Sequence, residues 1–69
     1  MVRAKFYCSW RSEDGKVIHL GPVVTGSREN EHFYDLTPGG SIELFTINPE
    51  AAKQFELGKE YYVDFSPAV

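Results

Sequence analysis

Apolar and polar residues alternate through residues 2–10. Val2, Ala4, Phe6, Cys8 and Trp10 fall on one side, and Arg3, Lys5, Tyr7 and Ser9 on the other. This is the pattern of a strand with one buried face. A turn of Ser12, Glu13, Asp14 and Gly15 follows, and a second strand runs from residue 16 to about residue 24. A two-residue Asp14-Gly15 turn would oppose Trp10 to His19 and send Ile18 and Leu20 to the Arg3/Lys5 face. A three-residue loop of Glu13, Asp14 and Gly15 opposes Trp10 to Ile18 and Cys8 to Leu20. A one-residue slip turns every side chain over, so burial predicts the three-residue loop, with Gly15 left-handed and His19 facing outward.

Residues 41–47 form the third strand. Ile42 and Leu44 lie on one face and Phe45 and Ile47 on the other, which predicts a central position covered on both sides. Residues 48–67 read as a short helix, a glycine stop and a closing strand. Asn48 suits an N-cap and Pro49 the first helical position. Ile47 and Ala52 are placed to form a hydrophobic staple, and Ala52 and Phe55 share a face. Gly58 suits a left-handed stop. Tyr61, Val63 and Phe65 then alternate with Glu60, Tyr62 and Asp64. Between the second and third strands, residues 25–40 are the least regular part. They read as a long loop pinned by Phe33, Tyr34 and Leu36, with room for a short strand and a turn at Thr37, Pro38, Gly39 and Gly40. The expected fold is mainly β: a small antiparallel sandwich or partly open barrel of four to five strands, with one short helix before the last strand. A five-stranded oligonucleotide-binding barrel is one candidate.

A chain of 69 residues predicts a single small β domain over 1–69. Its hydrophobic share, 42%, is too high for disorder. Its ten aromatics should supply much of the core, with Trp10, Phe45, Phe55 and Phe65 largely buried. One cysteine excludes an intrachain disulfide and fits a reducing compartment. The first residues lack the apolar run of a signal peptide, and no stretch has the length of a membrane span. A formal charge of −3 disfavours a general nucleic-acid coat but leaves room for a local basic patch.

The chain has no GxSxG, CxxC or HExxH motif and no phosphate loop. Cys8 alternates with Phe6 and Trp10, so it reads as a buried small hydrophobe rather than a nucleophile served by His19 or His32. Glu29, Glu31, His32 and Asp35 carry metal-type donors, but their spacing fits a solvated acidic loop better than a metal site. The expectation is therefore no enzyme, no cofactor and no metal. Two binding surfaces compete. Arg3, Lys5 and Tyr7 share the outward face of the first strand, with Arg11 and Lys16 near its hairpin; cations interleaved with an aromatic suit single-stranded nucleic acid. Tyr34 and Tyr62, with the acidic Glu29, Glu31 and Asp35, suit a protein interface anchored on exposed aromatics.

Four segments carry a resemblance: RAKF near the start, GSRENEHFYDLTPGG in the middle, INPEAAKQF, and GKEYYVDFSPA. The chain resembles a family of small tailed-bacteriophage proteins that share an ENxxF…TPxG segment, an NPxA segment and a GKxYYxDFxPA ending. Gly39 stands where that family varies, and the hairpin at residues 13–16 is shorter than in some relatives. The resemblance implies an accessory role in the cytoplasm of the infected bacterial host or in the virion, and it supplies no catalytic residues. The leading expectation is a non-catalytic phage accessory protein that binds a macromolecule, most readily a protein, as a particle component or as an antagonist of a host or defence protein. The alternative is a small single-strand nucleic-acid binder of the oligonucleotide-binding type, with a small-molecule role third. A homo-oligomer is expected, and no membrane association.

Overall fold

The computed structural model describes residues 2–34 and 39–68. Strict alternation makes β1 (Val2–Arg11) the longest strand, and it pairs on both sides. On one side lies β2 (Val17–Pro22), reached through the hairpin; on the other lies β4 (Glu60–Phe65), from the far end of the chain. β3 (Ile42–Phe45) pairs with β2, so the four antiparallel strands run in the order β3-β2-β1-β4 and curl into a half-barrel. The sheet's apolar face carries buried Ala4, Phe6, Cys8, Ile18 and Leu20, with Ile42, Phe55, Tyr61 and Val63 packed against them. Of the strands, β4 follows its expected alternation most closely: Tyr61 and Val63 turn inward, while Glu60, Tyr62 and Asp64 turn outward.

The hairpin keeps Gly15 left-handed, at φ 73°. The turn is closed by the Ser12 N–H donating to Val17 O at 2.9 Å, and Asp14 Oδ1 accepts from the Lys16 N–H at 3.0 Å. Arg11 therefore opposes Ile18, and Lys16 joins the loop. A bulge between Cys8 and Trp10 then restores the expected Cys8–Leu20 pair. Ile18 and Leu20 are buried as burial demanded, but Trp10 opposes His19 and turns to the outer face, 48% exposed. A bulge inserts one unpaired residue and reverses the side of everything beyond it, so the expected three-residue loop, the Trp10–Ile18 pair and the buried Trp10 are all corrected.

Three other expectations are corrected. β3 lies at an edge rather than the centre, and Phe45, 72% exposed, is uncovered because no described segment lies over that side. Ile47 is 89% exposed, so the staple to Ala52 does not form. Phe65 is likewise exposed, while Phe55 is half-buried.

Within residues 25–40, the expected loop or short strand is instead a helix, α1 (Arg28–Tyr34). Gly26, at φ 74°, turns the chain into it; the Ser27 hydroxyl caps it by accepting the Asn30 N–H at 3.2 Å. The helix docks on β1 through a polar residue. The Asn30 side chain, 2% exposed, accepts from the Lys5 N–H at 2.5 Å. It donates to Lys5 O at 2.7 Å and to Val23 O at 2.8 Å. It thus stands in for a ladder rung where β2 leaves β1, satisfying backbone groups that would otherwise be orphaned. Leu36 and the turn at Thr37 and Pro38 lie outside the described residues.

The second helix, α2 (Pro49–Ala52), is a single turn capped as expected, with Asn48 Oδ1 accepting from the Glu50 N–H at 3.0 Å. Ala52 is buried near the Gly15 turn. Phe55 and Gly58 fall beyond α2, so the expected Ala52–Phe55 helix face and glycine stop are corrected; Gly58, at φ 84°, instead leads the chain toward β4, and its N–H donates to Cys8 O at 2.8 Å.

Candidate binding surface

Period-two alternation places Arg3, Lys5 and Tyr7 on the outer face of β1, and antiparallel pairing sets them opposite Asp64, Tyr62 and Glu60 of β4. Arg3 makes a two-pronged contact with Asp64, Nε to Oδ1 at 2.6 Å and Nη2 to Oδ2 at 3.0 Å. That hydrogen bonding holds the Asp64 carboxyl below its usual range and the Arg3 guanidinium above its own. Lys5 Nζ lies 3.6 Å from Glu60 and 4.0 Å from Glu29, which reaches over from the first turn of α1. Both cations also sit over the Tyr62 ring, Arg3 Cζ at 4.7 Å and Lys5 Nζ at 5.4 Å from its centroid.

On the β2 side, Tyr7 opposes Gly21, and its ring lies over the glycine, where a Cβ would sit at an ordinary contact distance of 3.6 Å. Farther along, the Trp10 and His19 rings meet tilted at 53° with centroids 5.0 Å apart, and His19 Nε2 meets Glu43 at 2.6 Å. Phe45 stands beyond them, opposite Val17. The outer face therefore carries exposed Tyr62, Tyr7, Trp10 and Phe45, with Arg3 and Lys5 held by carboxylates.

The five residues expected to form a nucleic-acid surface do not share one patch. Arg3, Lys5 and Tyr7 sit together. Arg11 turns away to donate from Nη1 to Phe55 O at 2.8 Å, tying the hairpin to the segment after α2. Lys16 stands exposed in the hairpin loop, its carbonyl accepting from the Thr46 N–H. The protein-binding set is divided too. Tyr62 belongs to the outer face, whereas Glu29 and Glu31 open α1 and Tyr34 closes it, edge-on to Phe33 at 4.8 Å. Asp35 lies outside the described residues. Phe33 stacks on Phe65 at 6.3 Å, beside a hollow of about 450 Å³ lined by Val2, Arg3, Arg28, Glu29, His32 and Phe33.

Cys8 is fully buried on the apolar face, and His19 lies on the opposite side of the sheet. Among the described residues, no group of three or more His, Cys, Asp or Glu side chains is placed to hold a metal ion, and no helix is long and apolar enough to cross a membrane. His19 faces outward as expected; sequence reasoning missed Trp10, Glu43 and Phe45 as members of the outer face, because their placement depends on a bulge and on strand order. It also missed Asn30, although Gly26, Ser27 and Glu29 together are a readable helix start. Comparison with protein-family models, with curated proteins and with solved structures finds no match.

Proposed function

We propose that this chain is a non-catalytic binding protein whose outer sheet face engages another protein, and that it works as a phage accessory protein, in the infected bacterial cytoplasm or in the particle, as its resemblance implies. One observation carries the choice of partner class. On the outer face, Arg3 and Lys5 are already paired with Asp64, Glu60 and Glu29, while Tyr7, Trp10, Phe45 and Tyr62 are left exposed. Nucleic-acid affinity comes chiefly from cations that replace counterions on phosphates. Cations held by carboxylates contribute little of that, and the chain is acidic overall. Protein interfaces instead draw their energy from a few aromatic anchors ringed by polar groups.

A labelled single-stranded oligonucleotide, titrated by fluorescence anisotropy at two salt concentrations, separates the classes. The expected result is no saturable binding near physiological salt. In parallel, affinity purification of the tagged chain from infected cells should recover a protein that Tyr62→Ala or Trp10→Ala releases. A saturable, salt-sensitive affinity for the oligonucleotide that Lys5→Glu abolishes would overturn the reading in favour of single-strand binding.

A further inference from the structure

The open side of the half-barrel lies on the opposite face of the sheet. Leu20, Ile42, Leu44, Phe55, Tyr61 and Val63 frame a hollow of about 440 Å³ there, with Tyr62 and Asp64 at its margin. It is flanked by the two edge strands, β3 and β4, which do not pair with each other. We propose that a second copy of this chain covers this opening, apolar hollow against apolar hollow.

Three observations point to a second copy. The first is area. A monomer of 7.8 kDa should expose about 4,400 Å² by the scaling of surface with mass. This chain exposes 5262 Å². The excess over the whole surface, about 900 Å², is enough to supply the roughly 800 Å² that each partner contributes to a standard interface.

The second is the size of the core. Among the described residues, the buried apolar side chains are Ala4, Phe6, Cys8, Ile18, Leu20 and Ala52, and three of these are alanine or cysteine. Small domains with so little core rely on disulfides, metals or association, and a single cysteine cannot form an intrachain bridge. A deficit present whenever the chain folds calls for an occupant present whenever the chain is made, and another copy meets that condition.

The third is charge. Among the described residues, the one charged side chain lining the hollow, Asp64, is held by Arg3. Two copies of a chain of charge −3 can therefore meet here without opposing like charges. This contact leaves Tyr7, Trp10 and Phe45 of the outer face free, while Tyr62 borders both surfaces.

Sedimentation equilibrium of the native chain should show a species of twice 7.8 kDa at micromolar concentration, with a melting temperature that rises with concentration. Leu44→Lys, at the rim of the hollow, should raise the dissociation constant about a hundredfold, because a lysine ammonium resists burial without a partner. Trp10→Ala, on the outer face and away from the hollow, should leave association unchanged. A mixture of isotope-labelled and unlabelled native chains tests the contact without a substitution: inter-copy nuclear Overhauser effects should arise from the Ile42 and Leu44 methyls. A native chain that stays at 7.8 kDa into the high micromolar range overturns the proposal. So do inter-copy effects confined to Tyr7 and Trp10.

Discussion

Asn30 is the side chain whose removal the structure prices most directly. Asn30→Ala deletes three hydrogen bonds, one accepted from the Lys5 N–H and two donated to Lys5 O and Val23 O. Lys5 O keeps a second donor, the Val23 N–H at 3.1 Å, so it is not stranded. The Lys5 N–H and Val23 O lose the Asn30 partner. Each such bond contributes about 0.5–1.5 kcal/mol net, and a buried donor left unpaired costs about 1–3 kcal/mol. The expected loss is about 2–4 kcal/mol, against a total stability of roughly 3–10 kcal/mol for a chain this long. A thermal melt at fixed protein concentration should fall on the order of 10–25 °C.

Asn30→Asp refines the test. It preserves shape and the acceptor facing the Lys5 N–H, but it turns a second oxygen toward two carbonyls. Burial and those carbonyls would raise the folded pKa of the new carboxyl. The variant should therefore be least impaired below the unfolded aspartate value of about 3.9, and increasingly impaired as pH rises through the folded value. Denaturant titrations at pH 4 and pH 7 measure this. An Asn30→Ala loss under about 0.5 kcal/mol, or an Asn30→Asp variant as stable as the native chain at pH 7, would refute the role assigned to this amide.

Other substitutions test separate parts of the fold. Gly15→Ala should destabilise by about 1–3 kcal/mol, since φ there is +73° and a Cβ would lie 2.5 Å from Arg11 Nη2, displacing the guanidinium that holds Phe55 O; a neutral result would show that the turn relaxes freely. Asp64 is held below its ordinary value by Arg3, and Asp14 by the Ser12 hydroxyl and then the Lys16 N–H. Their contribution is present above the unfolded value of about 3.9 and is lost as pH falls through the lowered folded values. Asp64→Asn should accordingly flatten the acid limb of a stability–pH curve, and an unchanged limb would count against the Arg3 pairing. Trp10, the only tryptophan, should emit at solvent-like wavelengths and be readily quenched by iodide; blue-shifted, protected emission would place it back in the core.

Where local pattern and local chemistry agree, the fold was legible. The alternation of β1 as far as Cys8 and of β4 as far as Asp64, the Asn48-Pro49 start of α2 and the left-handed Gly15 stand as read; Gly58 is left-handed but lies beyond α2 and does not end it. α1 escaped because its inward contact is a single amide, and hydrophobic periodicity cannot register a helix that docks through Asn30. β3 was misplaced because two apolar faces signal two covering layers only when the chain supplies both. The same division governs the outer surface. Arg3, Lys5, Tyr7 and Tyr62 precede the bulge or lie on β4, where alternation suffices. Trp10, His19, Glu43 and Phe45 come together only through a one-residue irregularity and two long-range pairings, neither of which has a local signature.

The partnership of β1 with β4 also bears on how quickly the chain reaches its native state. Arg3 and Asp64 meet across 61 positions, whereas the β1–β2 hairpin closes over a short turn. Chains rich in such distant pairings fold slowly, because loop entropy is lost before the contacts that reward it have formed. The hairpin can organise early, but β1 keeps one bare edge until β4 arrives. During that interval the inward faces of Phe6 and Ala4 lack Tyr61 and Val63 opposite them. Folding through this topology gives a transient species with an unsatisfied strand edge, and β4 is the strand whose detachment regenerates it.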